Sequence, residues 1–200
     1  MTRPFLLGLT GSIGMGKSTT AGFFREAGVP VWDADAAVHD LYAAGGPAVA
    51  VVGGLFPDAV SGGAVDRAAL KRHIGADRAA LSRIESAIHP LVAAHRRGFV
   101  DCAVQVGARL VLLDIPLLFE TGAEAGLDAT LVVTAPEDVQ RARVLGRPGM
   151  TEEQLAGLLA RQMPDAEKRA RADHIIETTT IEGARRAVRD LLAILESRLA

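Results

Sequence analysis

Short apolar runs recur along this chain and alternate with longer stretches in which apolar residues keep a helical spacing. Residues 5–9, 29–32, 109–115, 130–133 and 174–176 form the short runs. They are nearly continuous in apolar character rather than alternating, the pattern of strands covered on both faces in a parallel sheet. Residues 18–27, 65–73, 76–96, 136–145, 152–162 and 181–199 read as helices. Pro90 interrupts the third of these, and Pro136 opens the fourth, where a missing N–H costs nothing. Helices between such strands predict an α/β fold of three layers around a five-stranded parallel sheet.

Ligands of such sheets bind beyond the carboxyl ends of the strands. Three chemically useful features fall at that edge: the glycine-rich loop at residues 11–18, Asp33 and Asp114. The segment 35–106 is too long for one crossover. Helical patterns fill it, and glycines at 45, 46, 53, 54, 62 and 63 break up its first part. It reads as a helical insertion over the sheet edge, either to hold a second substrate or as added scaffold.

The loop reads Gly11-Ser12-Ile13-Gly14-Met15-Gly16-Lys17-Ser18 and is followed by Thr19. It completes the phosphate-binding pattern G-x-x-x-x-G-K-[ST], between an apolar run and a helix. Its backbone N–H groups are expected to cradle phosphate oxygens at the positive end of that helix. Lys17 would reach the β- and γ-phosphates, and the Ser18 hydroxyl would ligate Mg²⁺. The pattern predicts a nucleoside triphosphate site; an ordinary glycine turn would not need the whole motif with both flanks.

Asp33 ends the second apolar run. A strand-end carboxylate there can orient an acceptor hydroxyl and take its proton, or it can cap the next helix. Asp35 and His39 follow at an i, i+4 spacing, and Asp35 is as readily a cap for the following helix as a site residue. Asp114 follows four apolar residues, the form of an acid that holds Mg²⁺ opposite a phosphate loop, or of one that anchors the turn before Pro116. Glu120 either faces the site or solvent. Arg141, Arg143 and Arg147 share the stretch between Val139 and Thr151 with no acid. Arg141 suits a solvated helix face. Arg143 and Arg147 could address transferring phosphate together from a mobile segment that excludes water.

The chain has 200 residues, 49% hydrophobic and only 4% aromatic, so aliphatic side chains must fill its core. A formal net charge of −2 argues against broad attraction to nucleic acid or an anionic membrane. No stretch reaches the roughly 18 uninterrupted apolar residues of a membrane span, and a cytoplasmic protein is expected. Cys102 is the single cysteine, so no internal disulfide can form. The histidines show no tight metal-ligand spacing. His89-Pro90 reads either as a substrate contact or as a helix-end pair.

These motifs, in this order, resemble the dephospho-CoA kinase family. The resemblance rests on T-G-S-I-G-M-G-K-S-T at residues 10–19, D-A-D-A-A-V-H at 33–39, His89-Pro90, D-I-P-L-L-F-E at 114–120, and Gln140, Arg143, Arg147 and Gln162. It implies a P-loop kinase fold with residues 1–34 and 107–200 as core, a lid at about 140–165, and residues 35–106 as a CoA-binding insertion. It also implies ATP with Mg²⁺ as phosphoryl donor and dephospho-CoA as acceptor through its ribose 3′-hydroxyl. Asp33 would be the base, with Lys17, Arg143 and Arg147 on ATP phosphates. Asp33, Asp35, His39 and His89 would serve the acceptor. Where many members carry Asp-Asn near the adenine pocket, this chain has Glu177-Thr178, and a threonine offers only a hydroxyl to a base.

Overall fold

The computed structural model describes residues 3–199. Five strands build the main sheet: β1 (Phe5–Thr10), β2 (Val31–Asp33), β5 (Leu110–Asp114), β6 (Ala129–Thr134) and β7 (His174–Glu177). Their order across it is β2-β5-β1-β6-β7. β1 runs parallel to both β5 and β6, and β6 parallel to β7. Every residue of β5 and β6 is buried, which explains their unbroken apolar pattern. Alternate side chains still go to opposite faces. Leu7, Leu9, Leu112, Leu131 and Val133 share one core with Phe24 of α1 (Lys17–Glu26) and Leu195 of α9 (Ile181–Leu199). On the other face Gly8 admits Leu118 and Leu127 against β1, where any Cβ would overlap both.

The chain divides into two compact units, one of residues 1–32 with 103–200 and one of residues 33–102. The second contains α2 (Ala34–Tyr42), α3 (Pro47–Leu55), α4 (Arg67–Ala76) and most of α5 (Arg78–Gln105). Leu41, Val52, Phe56, Leu70, Ile84 and Ile88 give it a core of its own. It is not wholly helical, because β3 (Val60–Ser61) and β4 (Ala64–Val65) pair as a small antiparallel hairpin turning at Gly62-Gly63.

Two local expectations are corrected here. Gly53 and Gly54 do not break the chain but lie inside α3. Burial of Ala48 and Val52 and the proline at the helix start outweigh a cost of about 1 kcal/mol per glycine. Pro90 does not interrupt α5, which runs through it as one 28-residue helix. The carbonyl that loses its helical partner belongs to Ser86, an exposed residue open to solvent, while Ile84 and Ile88 pack beneath.

Towards the carboxyl end lie α6 (Glu137–Leu145), α7 (Glu152–Leu159) and α8 (Asp165–Arg171). Thr151 and Gln154 form a reciprocal capping box that starts α7. This helix stops at Leu159 rather than at Gln162, which frees Gln162 to turn elsewhere. The pattern of apolar residues does not announce α8, because the residue it buries is Lys168.

Candidate active site

The loop between β1 and α1 turns on Gly14 and Gly16, with φ of 79° and 81°. These left-handed conformations require glycine, and a Cβ on Gly14 would also strike Val144 of α6. Each carbonyl of residues 12–16 is occupied from outside the loop's anion-facing side or within its own turn. Ser12 C=O accepts from Met15 N–H at 3.1 Å, and Gly16 C=O from Thr20 N–H at 3.0 Å. Ile13 C=O accepts from Gln140 Nε2 at 2.8 Å, Gly14 C=O from an Arg143 guanidinium nitrogen at 3.4 Å, and Met15 C=O from the Thr178 hydroxyl at 2.9 Å. A trans peptide points its N–H opposite to its C=O. Holding these carbonyls outward therefore turns the N–H groups of Gly14, Gly16 and Lys17 towards the loop interior, at the positive end of α1.

Gly11 and Ser12 are buried at the root of the loop, Met15 is buried beneath it, and Ser18 and Thr19 are exposed on the first turn of α1. Lys17 Nζ lies 2.5 Å from Asp114 Oδ1 at the end of β5. That carboxylate is only 1% exposed. The adjoining backbone is held in place: Ile115 N–H donates to Leu9 C=O at 2.9 Å, and the Thr10 hydroxyl donates to Pro116 C=O at 3.0 Å. A serine hydroxyl and a carboxylate are hard oxygen donors of the kind Mg²⁺ takes together with phosphate oxygens and water. The donor set of Ser18 and Asp114 thus suits that ion.

Asp33 is the N-cap of α2. Its Oδ1 accepts from Asp35 N–H at 2.9 Å and Ala36 N–H at 3.0 Å. The capping carboxylate is thus Asp33, not Asp35. Both bonds use one oxygen, so Oδ2 has no partner among the described residues. Asp35 and His39 on α2 and His89 on α5 are exposed, and none of these side chains has a hydrogen-bond or ion-pair partner among the described residues.

The segment after β6 packs against the loop. Arg143 is not a free surface arginine. Besides Gly14 C=O, it donates to the Thr178 hydroxyl at 3.2 Å and to the carbonyls of Thr178 at 2.6 Å and Thr179 at 3.3 Å. Arg147 is exposed in the turn after α6. Arg141 pairs with Glu152 at 2.6 Å and ties α6 to α7. Gln162 Oε1 accepts from Ile13 N–H at 3.1 Å. A cavity of about 710 Å³ opens beside the loop, lined by Met15, Gln140, Gln162 and Glu177 among others. Thr178 is buried, its hydroxyl set between the carbonyls of Met15 and Thr134. It shapes the loop rather than presenting itself to a base.

Glu120 faces neither the loop nor open solvent. It forms an ion pair at 2.8 Å with Lys168, which is 0% exposed, and accepts from Met163 N–H at 2.8 Å. Burial pushes its carboxyl up, but the Lys168 ammonium and the Met163 N–H outweigh burial and hold it below its ordinary value. Spacing gave no sign of this pair, nor of the role of Thr178.

A parallel sheet with a glycine loop of this geometry, a loop lysine and a strand-end acid defines the class of P-loop nucleotide-binding proteins. Comparison with known proteins narrows the class. The dephospho-CoA kinase family model matches residues 5–182. The chain is 63% identical over 191 residues to the dephospho-CoA kinase of Cereibacter sphaeroides, covering 96% of this chain and 95% of that protein. It is 58% identical to that of Jannaschia sp., covering 96% and 97%. Among solved structures, TT1252 from Thermus thermophilus superposes with a TM-score of 0.82 at 40% identity, over 97% of this chain and 99% of the other. The chain belongs to the dephospho-CoA kinase family.

Proposed function

We propose that the chain transfers the γ-phosphoryl group of ATP to the ribose 3′-hydroxyl of dephospho-CoA, giving coenzyme A and ADP. This is the last step of coenzyme A synthesis, carried out in the cytoplasm, where ATP is available. The observation that carries the proposal is the phosphate loop with its carbonyls held outward and its lysine resting on Asp114. The inward N–H groups and the start of α1 receive the β- and γ-phosphates. Lys17 leaves Asp114 for a phosphate oxygen and brings positive charge to where negative charge develops in transfer. Ser18 and Asp114 would hold Mg²⁺, which when bound neutralises charge on the phosphate oxygens.

Asp33 keeps Oδ1 on the helix cap and uses Oδ2 to accept the proton of the 3′-hydroxyl as the new P–O bond forms. The cap thus fixes the orientation of the base. Residues 35–106 take the CoA moiety, with Asp35, His39 and His89 as the side chains that meet it. Residues 140–165 act as the lid. Arg147 reaches the phosphates when this segment closes, and Arg143 adds charge while bracing the loop. Exclusion of water there keeps transfer ahead of hydrolysis.

Incubation with ATP, Mg²⁺ and a panel of 3′-hydroxyl and 5′-phosphate acceptors tests the reading. Mass spectrometry should find one added phosphoryl group, on the ribose 3′ position of dephospho-CoA. Robust transfer to nucleoside monophosphates with none to dephospho-CoA would overturn it.

A further inference from the structure

Two glutamines grip the same residue of the phosphate loop from opposite ends of one segment. Gln140, buried on α6, donates to Ile13 C=O at 2.8 Å. Gln162, beyond the end of α7, accepts from Ile13 N–H at 3.1 Å. We propose that Gln140 and Gln162 are positioning residues that set the two peptide planes on either side of Ile13 and make the shape of the phosphate loop depend on the segment between them. The inference rests on the phosphate-loop reading above.

The physical need for such a clamp follows from Gly14. Its neighbouring peptide, Ile13–Gly14, has little steric barrier to flipping, because Gly14 tolerates φ of either sign. If that peptide flipped, the Ile13 carbonyl would present partial negative charge to a phosphate, and the Gly14 N–H would be lost to it. Gln140 opposes the flip by holding the carbonyl outward, which leaves Gly14 N–H pointing inward. Gln162 takes the Ile13 N–H and so fixes the preceding plane. Close packing supports the fit: a Cβ added to Gly14 would lie 2.5 Å from Val144 Cγ2 and 3.1 Å from Gln140 C=O. Between the two glutamines the chain carries Arg143, Arg147 and α7, so a movement of this segment pulls on both planes.

The partners also dictate which way each amide points. A carbonyl needs the Gln140 NH₂, and an N–H needs the Gln162 oxygen. Isosteric replacement by glutamate therefore has opposite outcomes at the two sites. Gln162→Glu keeps the acceptor, whereas Gln140→Glu sets oxygen against oxygen.

The test uses the full chain without nucleotide, then with ADP. Amide exchange at Ile13, read by NMR, should quicken by about tenfold in Gln162→Ala, the loss expected for one hydrogen bond, and return to the wild-type rate in Gln162→Glu. Gln140→Leu should weaken ADP binding about five- to tenfold, and Gln140→Glu more, with kcat falling as well as KM rising, and the thermal midpoint should fall further in Gln140→Glu, whose buried carboxylate meets a carbonyl. An unchanged Ile13 exchange rate in Gln162→Ala, or wild-type ADP affinity in Gln140→Leu, would overturn the clamp. Failure of the wild-type chain to bind ADP would instead refute the phosphate-loop reading, and the exchange rates would still judge the clamp by themselves.

Discussion

Lys17 Nζ and Asp114 Oδ1 stand 2.5 Å apart, joining the phosphate loop to the end of β5. The lysine is 17% exposed and the carboxylate 1%, so the cation is the member of the pair that an incoming ligand meets first. In the proposed reaction, binding at the loop exchanges one anion for another at the same ammonium.

Lys17→Ala should lower transfer by about 10²-fold or more, through loss of charge at the β,γ-phosphates. It should also lower the unfolding midpoint, because Asp114 stays buried without this cation. Adding Asp114→Asn should recover stability and not activity. Asp114→Asn alone should raise the Mg²⁺ concentration needed for half-maximal transfer, which a titration would read. Near-normal turnover in Lys17→Ala would remove the lysine from the mechanism.

Asp33→Asn separates capping from proton transfer. Asparagine caps helices as well as aspartate does, so stability and ATP affinity should hold. Transfer should fall by roughly 10²–10⁴-fold where the proton moves in the slow step. Asp33→Ala should lose the same activity and, in addition, about 1 kcal/mol of stability in urea unfolding. Full turnover in Asp33→Asn would leave Asp33 as a cap and nothing more.

Arg143 and Arg147 should part company when each is changed to alanine. Arg143→Ala removes donors from Gly14, Thr178 and Thr179, so the nucleotide-free protein should lose about 1–3 kcal/mol and bind ADP less tightly. Arg147→Ala should leave the thermal midpoint in place and act on kcat/KM alone. Equal midpoints for the two variants would contradict the bracing role of Arg143.

Glu120 is held below its ordinary value of 4.5. A carboxyl lowered in the folded state stabilises the fold fully above its unfolded value, and that stability is lost as pH falls through the folded one. Urea unfolding from pH 7 down to pH 3 should therefore show the wild type losing stability more steeply at the acid end than Glu120→Gln with Lys168→Met, which lacks both charges. Glu120→Gln alone should be the least stable at pH 7, since Lys168 remains buried without its carboxylate. Parallel pH curves for wild type and the double variant would assign the pair no role in acid stability.

The strands were legible because β5 and β6 are buried at every residue and the others carry short apolar runs even where, as in β7, side chains stay exposed. The phosphate loop was legible because its glycines, lysine and serine act through local backbone geometry. Asp33 against Asp35 was not, since each is an acid two or three residues ahead of N–H groups it could cap, and only the turn at the end of β2 fixes where the helix starts. Pro90 and the Gly53-Gly54 pair misled for the reverse reason: local propensity is weak against the burial of Ile84, Ile88 and Val52.

By itself the sequence determined the sheet, the loop and the family, because apolar periodicity and a contiguous motif are properties of neighbouring residues. Only the tertiary structure decided that Lys17 rests on Asp114, that Glu120 meets Lys168, and that Gln140, Gln162, Arg143 and Thr178 hold the loop from behind. Those partners are far apart along the chain. What sets each of them is the direction of a peptide plane or the absence of water around a charge, which exists only once β5, β6 and α6 have packed.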